Sequence, residues 1–112
     1  HMLDSEEKFT LAATFGALSG ATVGWMAHII EWYSAQGLDP ETARALVAGT
    51  LRGNAEVLLQ EQRPLADIAK GVTTPGGITL QLLGILDQRG ALDAWDEGLH
   101  SVHERISGKG NA

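Results

Sequence analysis

The chain has no cysteine, which excludes disulfide frameworks, thiolate metal sites and cysteine nucleophiles together. Positive charge is also scarce. Eight Lys and Arg face fourteen Asp and Glu, for a formal net charge of −6. The basic residues are scattered, so no patch forms to neutralise phosphates, and nucleic acid is excluded as a partner. No window alternates apolar and polar residues with a period of two, and no glycine-rich turn follows a strand-like run. A nucleotide-binding α/β unit is therefore missing from this sequence. What remains reads as helix, and the fold class is all-α.

At 112 residues the chain has the size of one domain, small enough for oligomerisation to matter. His1-Met2 reads as the remnant of a cleaved expression tag, residues 3–107 as the folded domain, and 108–112 as a flexible tail. A tag ahead of a chosen start suggests a piece of a longer protein.

One segment raises a membrane question. From Phe9 to Ile30 there is no formal charge, and Gly16, Gly20 and Gly24 recur at four-residue spacing, the small-residue pattern of closely packed membrane helices. Against a span, fewer than half of these residues are large and apolar, and no basic cluster flanks the segment. The expectation is a buried soluble helix with a glycine face, covered in part by a second copy of the chain.

Further helices follow. Asp39-Pro40 supplies a cap and a first-position proline, and Leu46, Val47, Leu51, Val57 and Leu58 keep helical spacing from Glu41 to about Gln62, where Arg63-Pro64 stops the helix. A short helix runs from about Leu65 to Lys70. Leu80, Leu83 and Leu86 mark another, ending at Gly90, and Trp95, Leu99, Val102 and Ile106 form one stripe of a last helix from about Leu92 to Ile106.

Between the third and fourth of these helices lies Val72-Thr-Thr-Pro-Gly-Gly-Ile-Thr-Leu80. Thr74 stands where a cap belongs and Pro75 at the first helical position, which places Gly76, Gly77 and Ile78 in the first turn. The amides of a helix's first turn lack intrahelical partners, and the helix dipole favours an anion there. Two glycines let a carboxylate or phosphate come close, with Thr79, Thr73 and Thr74 as hydroxyl donors. The same residues also suit a plain turn between two helices.

The run Val72 to Thr79 resembles the V-[ST]-[ST]-P-G-G-x-T signature of pyrroline-5-carboxylate reductases, and the surrounding order is similar to that family. Glu61-Gln-Arg-Pro64 precedes the signature, Gly37-Leu38 and the helix from Ala43 to Leu58 fall where the family has G-[LVM]-x-x-x-x-A, and Leu86-Asp-Gln-Arg-Gly90 follows. The resemblance covers about Gly37 to Ile106. Where the family usually carries G-S-G-P-A-Y, this chain has Gly16-Ala-Leu-Ser-Gly-Ala-Thr-Val.

This resemblance implies the C-terminal part of a two-domain oxidoreductase. It implies a helical bundle of the 6-phosphogluconate dehydrogenase C-terminal type, interlocked as a homodimer, with an N-terminal dinucleotide-binding domain outside this chain. By the same resemblance Thr79 is the catalytic hydroxyl contact, and Thr74, Gly76, Gly77, Ile78 and Thr79 hold the substrate carboxylate, with Glu61 nearby. NADP or NAD would be bound mainly by the other domain and not by this chain alone, which would be inactive by itself. No metal is implied, and the location would be cytoplasmic.

Other readings compete. The same fold could serve as a stand-alone helical dimerisation module, or belong to a reductase of a different imine or ketone. His100 and His103 share a face with Asp96 and Glu104, a weak metal pattern that solvated ion pairs explain better. His28 with Glu31 lacks the further glutamates of a di-iron site, so His28 is expected to be buried or at an interface. Trp25, Trp32 and Tyr33 read as packing or interface residues.

Overall fold

The chain's own capping chemistry sets most of the boundaries in the computed structural model, which describes residues 2–71 and 77–108. Among the described residues there are six helices and no strand: α1 (Ser5–Ala12), α2 (Phe15–Ala35), α3 (Pro40–Gln60), α4 (Leu65–Gly71), α5 (Ile78–Gln88) and α6 (Ala91–Ile106). The chain is all-α. His1, residues 72–76 and residues 109–112 lie outside the description. The chain divides into two units, one of His1–Thr22 with Leu82–Ala112, the other of Val23–Gln81.

In the first unit α1 opens on a reciprocal cap. The Glu7 amide donates to Asp4 Oδ1 at 2.8 Å, and the Asp4 amide donates back to Glu7 Oε1 at 3.3 Å. This charged turn was not anticipated as helix, and α1 then stops inside the segment expected to be continuous from Phe9 to Ile30. The break has a local cause. Thr14 donates both its amide, at 3.1 Å, and its hydroxyl, at 2.7 Å, to the Leu11 carbonyl. Such side-chain bonding competes with the helical ladder. Its own carbonyl then accepts from the Leu18 amide at 3.1 Å and starts α2. α1 lies against α6. Between α5 and α6 sits Gly90, at φ +71°, a backbone region that glycine occupies at little cost. Its amide donates to the Asp87 carbonyl, and its carbonyl accepts from the Ala94 amide at 2.9 Å. One residue thus closes α5 and opens α6.

In the second unit α2 ends as its C-terminal chemistry directs. The Leu38 amide donates back to the Tyr33 carbonyl at 3.2 Å, with Gly37 at φ +109° making the reversal. Asp39 caps α3 as read from the sequence, its Oδ2 accepting from the Thr42 amide at 3.2 Å, and Pro40 takes the first helical position. Glu61 ends α3 in extended conformation, two residues before the expected stop near Pro64 takes effect. The Pro64 carbonyl then accepts from the Asp67 and Ile68 amides to start α4.

Very little of this chain is covered. Among the described residues Ala43 and Ile68 are the buried apolar side chains and Thr14 is the buried polar one. The expectation that the apolar segment through Ile30 is buried fails within one chain, because no residue of α2 is buried. A Cβ placed on Gly16, Gly20 or Gly24 would meet nothing within 4 Å. The glycine face is there, but nothing among the described residues approaches it. His28 is exposed as well, so it is not a core histidine. No described helix is long and apolar enough to cross a membrane. The chain exposes 9340 Å², roughly 3,400 Å² more than the scaling for folded monomers gives at this mass.

Candidate functional site

Of the residues read as a carboxylate site, Thr74 and Gly76 lie outside the described residues. Gly77, Ile78 and Thr79 are described, and they correct the expected helix start. Gly77 sits at φ +77°, which no residue inside a right-handed helix adopts, and its carbonyl accepts the first bond of α5 from the Gln81 amide at 2.9 Å. The helix therefore begins at Ile78 rather than at Pro75, with Gly77 as its boundary residue. The sequence signal for this was present. Of two adjacent glycines after a proline, the second is a natural host for a left-handed turn.

The shift changes which amides stand at the helix end. The first-turn positions are Ile78, Thr79 and Leu80, so Gly77 leaves the turn and Leu80 joins it. Leu80 was not read from the sequence as part of the site. Gly77 and Thr79 are half-buried, while Ile78 is exposed and offers the site only its backbone. No acidic residue lies in this first turn, so nothing there opposes a bound anion.

Glu61 has a different setting. It terminates α3, and its Oε2 accepts from Arg63 Nε at 3.1 Å in a pair that is about half exposed. Exposed pairs of this kind contribute about 0–1 kcal/mol. The carboxylate is thus engaged by the guanidinium two residues on. Elsewhere, His100 Nε2 and Glu104 Oε1 are 3.0 Å apart on the exposed side of α6. Among the described residues no group of three or more His, Asp or Glu could hold a metal ion.

α5 itself is unusual in what it leaves uncovered. Ile78, Leu80, Leu82, Leu83, Ile85 and Leu86 are all exposed and spread over a wide arc of the helix, with Gln81, Gly84 and Gln88 on the remaining side. An apolar arc this wide, left in water, calls for cover from more than one neighbour.

Comparison with known proteins places the chain. The family described as pyrroline-5-carboxylate reductase dimerisation matches residues 9–108, nearly the whole sequence. A 43-residue stretch is 44% identical to "Pyrroline-5-carboxylate reductase 2" of Bacillus subtilis strain 168, covering 38% of this chain and 16% of that protein. Among solved structures, the NADP-bound pyrroline carboxylate reductase of Plasmodium falciparum aligns over 99% of this chain and 45% of its own, with a TM-score of 0.83 and 20% identity. At that identity the likeness concerns the fold. The chain spans less than half the length of either relative.

Proposed function

This chain belongs to the pyrroline-5-carboxylate reductase dimerisation family, and from that premise we propose that it is the dimerisation and substrate-carboxylate-binding domain of an NAD(P)H-dependent oxidoreductase. The reaction is reduction of 1-pyrroline-5-carboxylate to L-proline, carried out in the cytoplasm by the full-length protein. The observation that carries this reading is the Thr-Thr-Pro-Gly-Gly-Ile-Thr run leading directly into the open N-terminus of α5, inside a family match that spans it.

In this reading the substrate's carboxylate lies at the start of α5. The first-turn backbone, from Ile78 to Leu80, together with Thr79 and the preceding Thr74, Gly76 and Gly77, holds the anion and the helix dipole favours it. Anchoring the carboxylate would fix the ring's orientation, and that positioning is the domain's share of catalysis. When held by the dinucleotide-binding domain, the reduced nicotinamide supplies the hydride that adds to the imine carbon while the nitrogen gains a proton. The described residues of this chain contain no strand and no glycine-rich strand-to-helix turn, so the cofactor's main site belongs to the other domain.

The partner in this reading is a second copy. The excess exposed area and the uncovered α5 both support it, because obligate dimers bury more than about 2,000 Å² in total. The deciding assay uses the full-length protein with pyrroline-5-carboxylate and both nicotinamide cofactors. Consumption of either reduced cofactor only when substrate is present supports the reading, and no turnover with either cofactor overturns it.

A further inference from the structure

The Ala13-Thr14 joint between α1 and α2 lies wholly within the first unit, and nothing in its sequence forbids helix. It holds no glycine and no proline, and Ala13 keeps right-handed helical angles, φ −64° and ψ −18°. The Ala13 amide still donates four residues back, to the Phe9 carbonyl at 3.0 Å, and the Leu18 amide does the same to Thr14 at 3.1 Å. The departure is at the Thr14 amide, which reaches only three residues back, to Leu11.

A threonine hydroxyl bonded three residues back is compatible with an unbroken helix. Thr10 and Thr22 make the same bond, at 3.0 Å and 2.9 Å, inside helices that continue past them. At Thr14 the amide joins the hydroxyl on one carbonyl, and the residue is covered, with 8% of it exposed. Those two features together hold the bend. α1 itself is lightly held: none of its residues is buried, Phe9 is 76% exposed, and the helix rests on α6. Its eight residues are also fewer than the roughly 12–15 that an isolated helix needs, a shortage that continuity with α2 removes.

We propose that this joint is a two-state hinge. In one state α1 rests on α6 and Thr14 bonds to Leu11; in the other α1 runs on as a straight extension of residues 15–22. The straight state gives up the cover of Thr14 and the contact with α6. In exchange it joins the first turn of α2 to the carbonyls of the last turn of α1, groups that a helix end leaves without intrahelical partners. Two states separated by a small free-energy gap are what a ligand or a neighbour can bias. Any chain joined ahead of α1 is carried with it, over up to about 12 Å, the length of eight residues at the helical rise. On the reading above that chain is the cofactor-bearing domain, whereas the joint itself rests on α1, α2 and α6 alone.

The chain has no cysteine, so Ser5→Cys and Ser101→Cys, both at exposed positions, carry spin labels at two defined points, one on α1 and one on α6. Double electron–electron resonance on labelled chain diluted into excess unlabelled chain reads the distance within one copy, with circular dichroism as the check on folding. With Thr14 intact two distances are expected, the longer in about a tenth of the molecules. Thr14→Ala loses the hydroxyl bond and is a better helix former, so the ratio of long to short should rise about tenfold. Thr14→Gly loses the same hydroxyl but is a poor helix former, and its ratio should stay about fivefold below that of Thr14→Ala. Loss of packing alone would move the two variants alike. A single distance with Thr14 and with Thr14→Ala, or equal ratios for the alanine and glycine variants, overturns the hinge. Should either variant lose its helical signal, the chain with Thr14 intact decides, and a single distance there overturns it.

Discussion

α5 and α6 are consecutive helices joined through Gly90, yet they solve the problem of apolar surface in opposite ways. α6 gathers Trp95, Leu99 and Val102 on one stripe and half-buries them, leaving charged residues such as Asp93, Glu97 and Glu104 to water. α5 spreads leucine and isoleucine over a wider arc, with Gln81, Gly84 and Gln88 on the remaining side, and leaves them exposed. A narrow stripe is served by packing on one side, whereas a wide apolar arc needs cover from more than one neighbour. The first is a surface element of its unit. The second is left uncovered by the described residues.

The largest break of that contrast comes from placing a charge on α5. Leu83→Asp should dissociate the dimer, because a carboxylate enclosed without a partner costs several kcal/mol, on the order of a hundredfold or more in dissociation constant. The same change at Leu92, an exposed residue at the start of α6, should have far less effect. Light scattering on both variants checks this, and equal behaviour would erase the distinction between the helices.

The next effect concerns the N-terminus of α5. On the proposed carboxylate reading, Thr79→Val in the full-length protein keeps the volume and removes the hydroxyl, and the loss of one bond to a charged group would lower kcat/KM by roughly 10- to 100-fold. Steady-state kinetics with intact thermal stability reports it. Unchanged kinetics would remove Thr79 from the site.

At the other end of α5, Gly90→Ala forces a side chain into a left-handed backbone and should destabilise the fold by about 1–2 kcal/mol, with Gly90→Asn costing less. Thermal or denaturant unfolding measures both. Equal stability of the alanine variant would mean that the α5–α6 boundary relaxes freely.

The smallest expected change is Glu61→Gln, upstream of the loop. It removes a half-exposed pair with Arg63 and should shift stability by less than about 0.5 kcal/mol. A marked rise in KM without a stability change would instead bring Glu61 into contact with substrate.

Local chemistry made much of the fold legible. Asp39-Pro40 announced α3, Pro64 separated it from α4, Gly90 divided α5 from α6, and the stripe from Trp95 to Ile106 marked α6 to within one residue. Each of these signals acts over one or two turns, so the sequence window that contains it contains its whole cause. Two boundaries were misread for the complementary reason. The apolar run across Ala13-Thr14 conceals a break made by one threonine hydroxyl folding back on Leu11, and the Pro-Gly-Gly run places a left-handed glycine where helix was expected. Periodicity registers hydrophobicity, and neither event changes it. For the proposed site, the geometry moved the expected helix start by three residues, exchanging Gly77 for Leu80 in the first turn.

By itself, then, the sequence determined an all-α chain, most of its helix boundaries and the stretch that leads into α5, because caps, prolines and glycines act on their immediate neighbours. Only the tertiary structure decided what is covered. It left the glycine face of α2 and the apolar arc of α5 open, since burial depends on which surfaces meet, and among the described residues these surfaces have no counterpart.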